Sequence, residues 1–304
     1  VSKVFTERLG IIGFGQVGQA ITSALSQSFD LTIYDRDLAR CEAHPLAQSD
    51  AIKVAISPQD MASRVDILLF CLPTPEISLA VAAEIAPSMR EGQLLLETST
   101  VAPEHVEALH GALSPHGVRV VDTALIGGIH ALTNGQAVML IGETEDASAR
   151  FEPVLAALTA ERFYFGGRGR GMKAKLIANA VSHAVYVVLA EATALSTAQD
   201  LPMSVMYRLL ARESGMIRPL THRIGERLLR NDFTGGMSTA NARKDSRLIV
   251  EMAHQLNIPL FAMTAAHSVY EIAAREGMAA QDYAVVGKLW EKWADIEIPV
   301  EGKA

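Results

Sequence analysis

Cysteine is nearly missing from this chain: Cys41 and Cys71 are the only two in 304 residues. Two thiols make neither a disulfide framework nor a metal-ligand pattern, and their scarcity fits a reducing compartment. No cluster of His, Cys, Asp and Glu stands at ligand spacing, so no metal is expected. Positive charge is not in excess either. Lys and Arg number 27 against 34 Asp and Glu, for a formal net charge of −7. That balance argues against nonspecific nucleic-acid binding, which feeds on basic surface. No apolar run reaches the ~20 residues of a spanning helix. The opening VSKVFTERLG carries no apolar core of a secretory signal. The expectation is a cytoplasmic protein with no membrane and no nucleic-acid partner.

Aromatics are also few, at 6%, whereas apolar residues reach 49% and charged residues 20%. These proportions are those of a globular protein long enough for two domains, with helix favoured by its many Ala and Leu.

Residues Leu9–Phe14 read as a short apolar strand, and the loop Gly13-Phe14-Gly15-Gln16-Val17-Gly18 then opens a helical pattern. A second strand, Leu31–Tyr34, ends at Asp35. Strand, G-x-G-x-x-G, helix, strand and terminal acid in that order predict a dinucleotide site. Gly13 makes the turn, Gly15 lets backbone N–H groups approach a pyrophosphate, and Gly18 lets the helix pack on the strand. Asp35 would accept hydrogen bonds from a ribose 2′-OH, which favours NAD. Arg36 follows directly and could serve a 2′-phosphate, so NADP stays open. S-adenosylmethionine is a rival for the glycine loop. No Lys-Ser/Thr follows the glycines, which excludes a P-loop.

Strand–helix alternation continues. Val65–Leu72, Gln93–Glu97, Val118–Val121 (ending at Asp122), Ala137–Ile141 and Arg162–Phe165 read as strands; Ile77–Ile85 and Glu145–Leu158 read as helices. This predicts a mainly parallel, doubly wound α/β Rossmann sheet with ligands at the carboxyl ends of its strands. The loops at Leu72–Thr74 and Thr98–Thr100 leave such ends. After Gly171 only helical spacing remains. The expected organisation is a dinucleotide-binding domain over 1–165 and an all-helical domain over 166–304. A long helix, about 171–198, joins them and is expected to form the core of the second domain.

The stretch GGRGRGMKAKLIANAVSHAV, Gly166 to Val185, runs from a glycine-rich turn into that helix. Lys175 and Asn179 lie one turn apart on one face, with His183 a turn further on. An ammonium beside a carboxamide suits a polarised carbonyl or a hydroxyl losing its proton. Arg168, Arg170 and Lys173 are candidate positive neighbours that would lower the lysine's pKa.

Four blocks in order resemble the β-hydroxyacid dehydrogenase family, whose members include 3-hydroxyisobutyrate and 6-phosphogluconate dehydrogenases. They are the glycine fingerprint; DTALIGG, Asp122 to Gly128, similar to the family's D-A-P-V-S-G-G; GRGRGMKAKLIAN, similar to G-x-G-x-x-x-K-x-x-N-N through Gly169, Gly171, Lys175 and Asn179; and Lys244-Asp245 after FTGGM. The resemblance implies NAD(P)-dependent hydride transfer to or from the hydroxyl carbon of a 3-hydroxy acid, or reduction of the matching aldehyde. Lys175 would be the general acid/base and Asn179 would hold substrate or the lysine. Ser99, Gly127 and Gly128 would meet substrate, and Leu72, Pro73 and Thr100 would line the nicotinamide. Lys244 would stand near cofactor and substrate, held by Asp245. It also implies a homodimer or homotetramer. Two departures stand out: Ala178 replaces the first Asn of the usual pair, and Ile126 replaces the loop serine. Isoleucine cannot hydrogen-bond a carboxylate, so Ile126 points to a larger or less polar substrate, or simply packs. His130, and Arg218 with His222, are further ligand candidates. Two rival functions are an imine-type reductase on the same scaffold, against which Lys175 speaks, and a redox-inactive dinucleotide-binding sensor.

Overall fold

The computed structural model describes residues 6–212, 217 and 219–300. The chain divides into two compact units, Val1–Ala180 and Val181–Ala304.

The first unit is built on one eight-stranded sheet of order β3-β2-β1-β4-β5-β6-β7-β8. The strands are β1 Leu9–Ile12, β2 Leu31–Tyr34, β3 Ile52–Val54, β4 Ile67–Phe70, β5 Leu94–Glu97, β6 Arg119–Ile126, β7 Ala137–Ile141 and β8 Thr159–Tyr164. All neighbours pair parallel except β6 with β7. The central strands are buried on both faces, which is why β4 and β5 read as unbroken apolar runs. Alternate residues feed two cores. Ile11, Leu69, Leu96 and Val121 face one; Ile12, Leu68, Leu95 and Val120 face the other.

Helices α1 Gln16–Leu25, α2 Leu38–Glu42, α3 Pro58–Arg64, α4 Pro75–Ile85, α5 Pro103–Leu113, α6 Ile129–Thr133, α7 Glu145–Ser148 and α8 Glu152–Leu158 supply the crossovers and connections. α1 and α8 cover the first core with Ile21, Leu25, Val154 and Leu155. α3, α4 and α5 cover the second with Met61, Ala82, Ile85, Val106 and Leu109. Ser57 and Thr74 cap α3 and α4 by accepting the N–H groups of Asp60 and Ile77, each just before a proline that needs no N–H partner. The strand order turns back between β1 and β4, so the crevice for a ligand lies beyond their carboxyl ends.

Two local expectations change, and one strand goes unread in the sequence. β6 does not stop at Asp122 but runs to Ile126, because β7 comes alongside it antiparallel and pairs Ile126 with Val138. The stretch 145–158 is two helices, α7 and α8, with a proline in the first turn of α8. β3 is only three residues long, too short for its alternation to register in a sequence.

The long helix α9 spans Arg170–Ala198. Met172 is buried, but much of the rest is not: Ile177 is 68%, Val181 61% and Tyr186 74% exposed. The expectation that this helix forms a core is not met within one chain. Its apolar residues lie all around the cylinder, so no single stripe could bury them against one neighbour. By length and composition α9 is also long and apolar enough to cross a membrane, which corrects the reading of the sequence run by run.

In the second unit, among the described residues, everything regular is helical: the second half of α9, α10 Met203–Leu210, a π-helical turn Pro219–Gly225, α11 Thr239–Gln255, α12 Phe261–Ala273 and α13 Gly287–Ala294. Glu191 of α9 caps α12 by accepting the N–H groups of Ala262 at 2.8 Å and Met263 at 3.2 Å. Ser246 of α11 meets His267 of α12 at 2.8 Å. Asp282, fully buried, pairs with Arg223, whose guanidinium lies 4.2 Å from the centre of the Tyr283 ring.

Candidate active site at the carboxyl ends of the strands

The glycine loop is shaped by contact on two sides and left open on the third. A Cβ on Gly13 would meet the Cys71 carbonyl oxygen at 2.3 Å, and one on Gly18 the Gly13 carbonyl oxygen at 1.9 Å. Gly13 also has φ +98°, which disfavours any side chain. Gly15 has nothing within 4 Å of its Cβ position. It starts α1 with no side-chain cap, so the first N–H groups of the helix face open space, as an incoming pyrophosphate requires. Gln16 and Val17 are exposed there. Phe14 differs: its side chain is buried against His44, and its N–H is taken by Asp35 Oδ2 at 2.7 Å. Asp35 Oδ1 accepts the Asp37 N–H at 2.9 Å, and Arg40 approaches Oδ2 at 3.4 Å. Asp35 is thus fixed at the tip of β2 beside the glycine loop, while Arg36 is exposed. The open helix end and the fixed acid fit an NAD(P) dinucleotide.

The loops after β4 and β5 are tied together. Ser99 Oγ accepts the Leu72 N–H at 3.0 Å. Thr98 donates its hydroxyl to the Phe70 carbonyl and lies 3.3 Å from Cys71 Sγ. Pro73 and Thr100 are exposed beyond this tie. Burial pushes the Cys71 thiol up to about 12 and the Cys41 thiol up to about 11. Both therefore stay protonated near neutrality and are poor nucleophiles.

Asp122 organises the start of α9. Its Oδ1 accepts the Gly169 N–H at 2.8 Å and its Oδ2 the Met172 N–H at 2.9 Å. A Cβ on Gly171 would run into Asp122 Oδ2 at 2.9 Å and the Leu140 carbonyl oxygen at 2.6 Å. Gly171 is therefore a condition for the helix end to seat on this carboxylate, and Gly169, at φ +73°, turns the chain into it. Asp122 is 0% exposed; burial raises its pKa, and the backbone N–H groups oppose that rise.

One turn beyond Met172 stands Lys175, half-buried, with Asn179 half-buried a further turn along. Burial alone lowers the Lys175 ammonium from its ordinary 10.5. The expected positive neighbours play no part: Arg168 pairs with Glu107 at 2.9 Å, Arg170 turns to the Phe165 carbonyl, and Lys173 is exposed. Gly127, at φ +130°, turns the chain after β6, and Gly128 starts α6. Ile126 is partly buried against the same core as Met172 and Ala174. His130 and His183 are exposed, and the carbonyl of His130 accepts the Asn134 side chain at 2.9 Å. In the second unit Lys244 pairs with Asp245 at 2.9 Å, their side chains 55% and 49% exposed. His222 pairs with Glu226 at 2.6 Å, and Arg218 lies outside the described residues. Among the described residues no group of three His, Cys, Asp or Glu could hold a metal ion.

Two buried acids escaped the sequence reading as site residues, Glu97 and Asp122. The available signal was a carboxylate directly after an apolar run, Glu97 after Leu94–Leu96 and Asp122 after Val120-Val121. An unpartnered charge would be too costly there.

Two family models match nearly the whole chain. The NAD-binding domain of 6-phosphogluconate dehydrogenase matches residues 8–167. The NAD-binding domain of NADP-dependent 3-hydroxyisobutyrate dehydrogenase matches 169–290. Among curated relatives, 2-(hydroxymethyl)glutarate dehydrogenase of Eubacterium barkeri is 23% identical over 96% of this chain and 97% of its own. L-threonate dehydrogenase of Cupriavidus necator is 26% identical over 98% and 99%. Among solved structures, a variant imine reductase from Myxococcus stipitatus in complex with NAD+ is 19% identical, with a TM-score of 0.83 over 93% of this chain and 98% of that one. At that identity the likeness is one of fold. The glycine loop, the seated helix of Lys175 and the two matching models agree: the chain belongs to the β-hydroxyacid dehydrogenase family of NAD(P)-dependent oxidoreductases.

Proposed function

We propose that the chain interconverts the hydroxyl group of a 3-hydroxy acid and the corresponding carbonyl, with Lys175 as general acid/base. The observation that carries this reading is the seating of α9. Asp122 ties the helix of Lys175 to the end of the sheet from which the glycine loop also emerges. When bound, NAD(P) supplies the hydride acceptor or donor. In the oxidative direction Lys175 takes the proton that leaves the substrate hydroxyl; in the reductive direction it returns that proton to the developing alkoxide. Its lowered pKa supports this role, because the amine must be partly neutral to accept. Asn179, one turn on, holds the substrate or orients the lysine, and the Gly127-Gly128 turn offers backbone N–H groups to the substrate. Lys244, steadied by Asp245, contributes positive charge to cofactor and substrate.

Asp35 supports NAD over NADP, since a fixed carboxylate favours a ribose diol and repels a 2′-phosphate. Ile126 in place of a hydroxyl supports a substrate with an apolar part. The dinucleotide fold falls before about residue 165; the Ile126–Gly128 turn before it and Lys175 and Asn179 after it share the substrate, and assembly falls to the part after it. The exposed apolar residues of α9 support a homo-oligomer in which a second copy covers them.

The test is turnover with NAD and NADP on branched, aromatic and sugar-derived 3-hydroxy acids, the matching aldehydes, and a set of cyclic imines. Hydroxy-acid oxidation supports the proposal. Turnover of imines alone favours the reductase reading. Dinucleotide binding without turnover favours a sensor.

A further inference from the structure

Glu97 closes β5 as a fully buried carboxylate, and no role in the reaction has so far fallen to it. Its Oε1 accepts the N–H of Ser99 at 2.9 Å, and its Oε2 the hydroxyl of Ser78 at 2.5 Å. Ser78 is itself fully buried, on α4. Ser99 passes the connection on, because its Oγ accepts the N–H of Leu72 at 3.0 Å. Glu97 thereby ties the loop after β5 to α4, and Ser99, held by Glu97, ties it on to the loop after β4. Burial raises the pKa of Glu97, while the donors from Ser78 and Ser99 hold it down. A carboxylate in this position is costly unless every lone pair that matters is used, and a plain apolar residue would close the strand more cheaply. What the apolar residue could not do is fix the distance between the two loops.

We propose that Glu97 is a positioning residue for the nicotinamide ring: it touches neither cofactor nor substrate, but spaces the Leu72–Thr74 and Thr98–Thr100 loops so that a flat pyridine amide fits between them. This rests on the reading of those loops as the nicotinamide side of the site.

The test compares two affinities on the full-length protein. NAD carries the pyridine ring; ADP-ribose keeps the pyrophosphate and both riboses but lacks it. Glu97→Ala removes both anchors. Ser99→Ala keeps Glu97 but deletes the acceptor for Leu72. Glu97→Gln keeps a carbonyl oxygen for the Ser99 N–H and offers an amide to the Ser78 hydroxyl. Glu97→Ala and Ser99→Ala are expected to weaken NAD by about tenfold, the scale of one buried hydrogen bond, with ADP-ribose held within about twofold. Glu97→Gln is expected to stay near wild type. Parallel loss of both ligands, no loss of NAD in folded Glu97→Ala, or a Gln variant no better than Ala would overturn the proposal. If Glu97→Ala does not fold, Ser99→Ala must reproduce the split on its own, and its failure to do so overturns it equally. Turnover of the wild-type enzyme on hydroxy acids is read separately. Its absence contradicts the proposed reaction, while the NAD-against-ADP-ribose comparison still decides the role of Glu97.

Discussion

Glu97 and Asp122 are register partners on adjacent parallel strands, and both carboxylates are fully buried at the end of the sheet that carries the glycine loop. One accepts from the loop after β5 and from Ser78 on α4; the other accepts from the glycine turn and first turn of α9. Two register partners at this edge of the parallel strands thus anchor the cofactor loops and the helix of Lys175.

Asp122→Ala strands the N–H groups of Gly169 and Met172 in the interior. Each unsatisfied buried donor costs about 1–3 kcal/mol. We expect a clear loss of stability in urea unfolding. In the folded fraction kcat should fall with dinucleotide affinity nearly unchanged, because α9 carries Lys175 and not the pyrophosphate loop. Equal loss of kcat and dinucleotide affinity would argue against this division.

Gly15 and Gly18 should separate binding from folding. Gly18→Ala forces a methyl group onto the Gly13 carbonyl, a backbone atom that cannot swing away, and should lower Tm by several degrees. Gly15→Ala enters open space at an ordinary negative φ. It should leave Tm unchanged yet weaken NAD by about tenfold or more, since the methyl group stands where the pyrophosphate must approach. Calorimetry and dinucleotide titration on the two variants check this.

Much of this was legible in advance. The fingerprint reads from residues because Gly13 and Gly18 answer to close backbone contacts and Gly15 to an open helix end, and β4 reads because burial on both faces leaves no polar alternation. Tertiary partners hid the rest. Nothing local says that β6 continues to Ile126, since the antiparallel arrival of β7 makes it do so. The apolar runs around Glu97 and Asp122 hint at burial, but nothing local names what satisfies them, because donors come from as far as 19 and 47 residues away. The exposure of α9 was misjudged because an apolar helix reads the same whether its own chain or another covers it.

Dinucleotide choice should rest on Asp35. Replacing it by Ser removes the carboxylate that would repel a 2′-phosphate, and leaves Arg36 and Arg40, the latter still beside Asp37, to meet one. The ratio of kcat/KM for NAD to that for NADP should fall by at least about tenfold in Asp35→Ser. Stability should drop slightly, because the Phe14 and Asp37 N–H groups lose their acceptor. An unchanged ratio would place the choice elsewhere.

Ile126 should govern substrate size and polarity. Its side chain is only partly buried, so Ile126→Ser is expected to fold. The variant should gain activity on small polar hydroxy acids relative to branched or aromatic ones. An unchanged profile, with an altered Tm, would mean that Ile126 only packs.

The pH dependence of kcat/KM for hydroxy-acid oxidation, in wild type and in Lys175→Ala, tests the central claim most directly. Burial lowers the Lys175 ammonium from 10.5. As a general base it must be neutral, so the wild-type rate should rise with pH through an inflection below 10.5 and then level off. Lys175→Ala should lose that inflection and about 10²–10⁴ in kcat, with NAD affinity within about twofold of wild type. A variant that keeps both the wild-type rate and the wild-type pH profile would contradict the account.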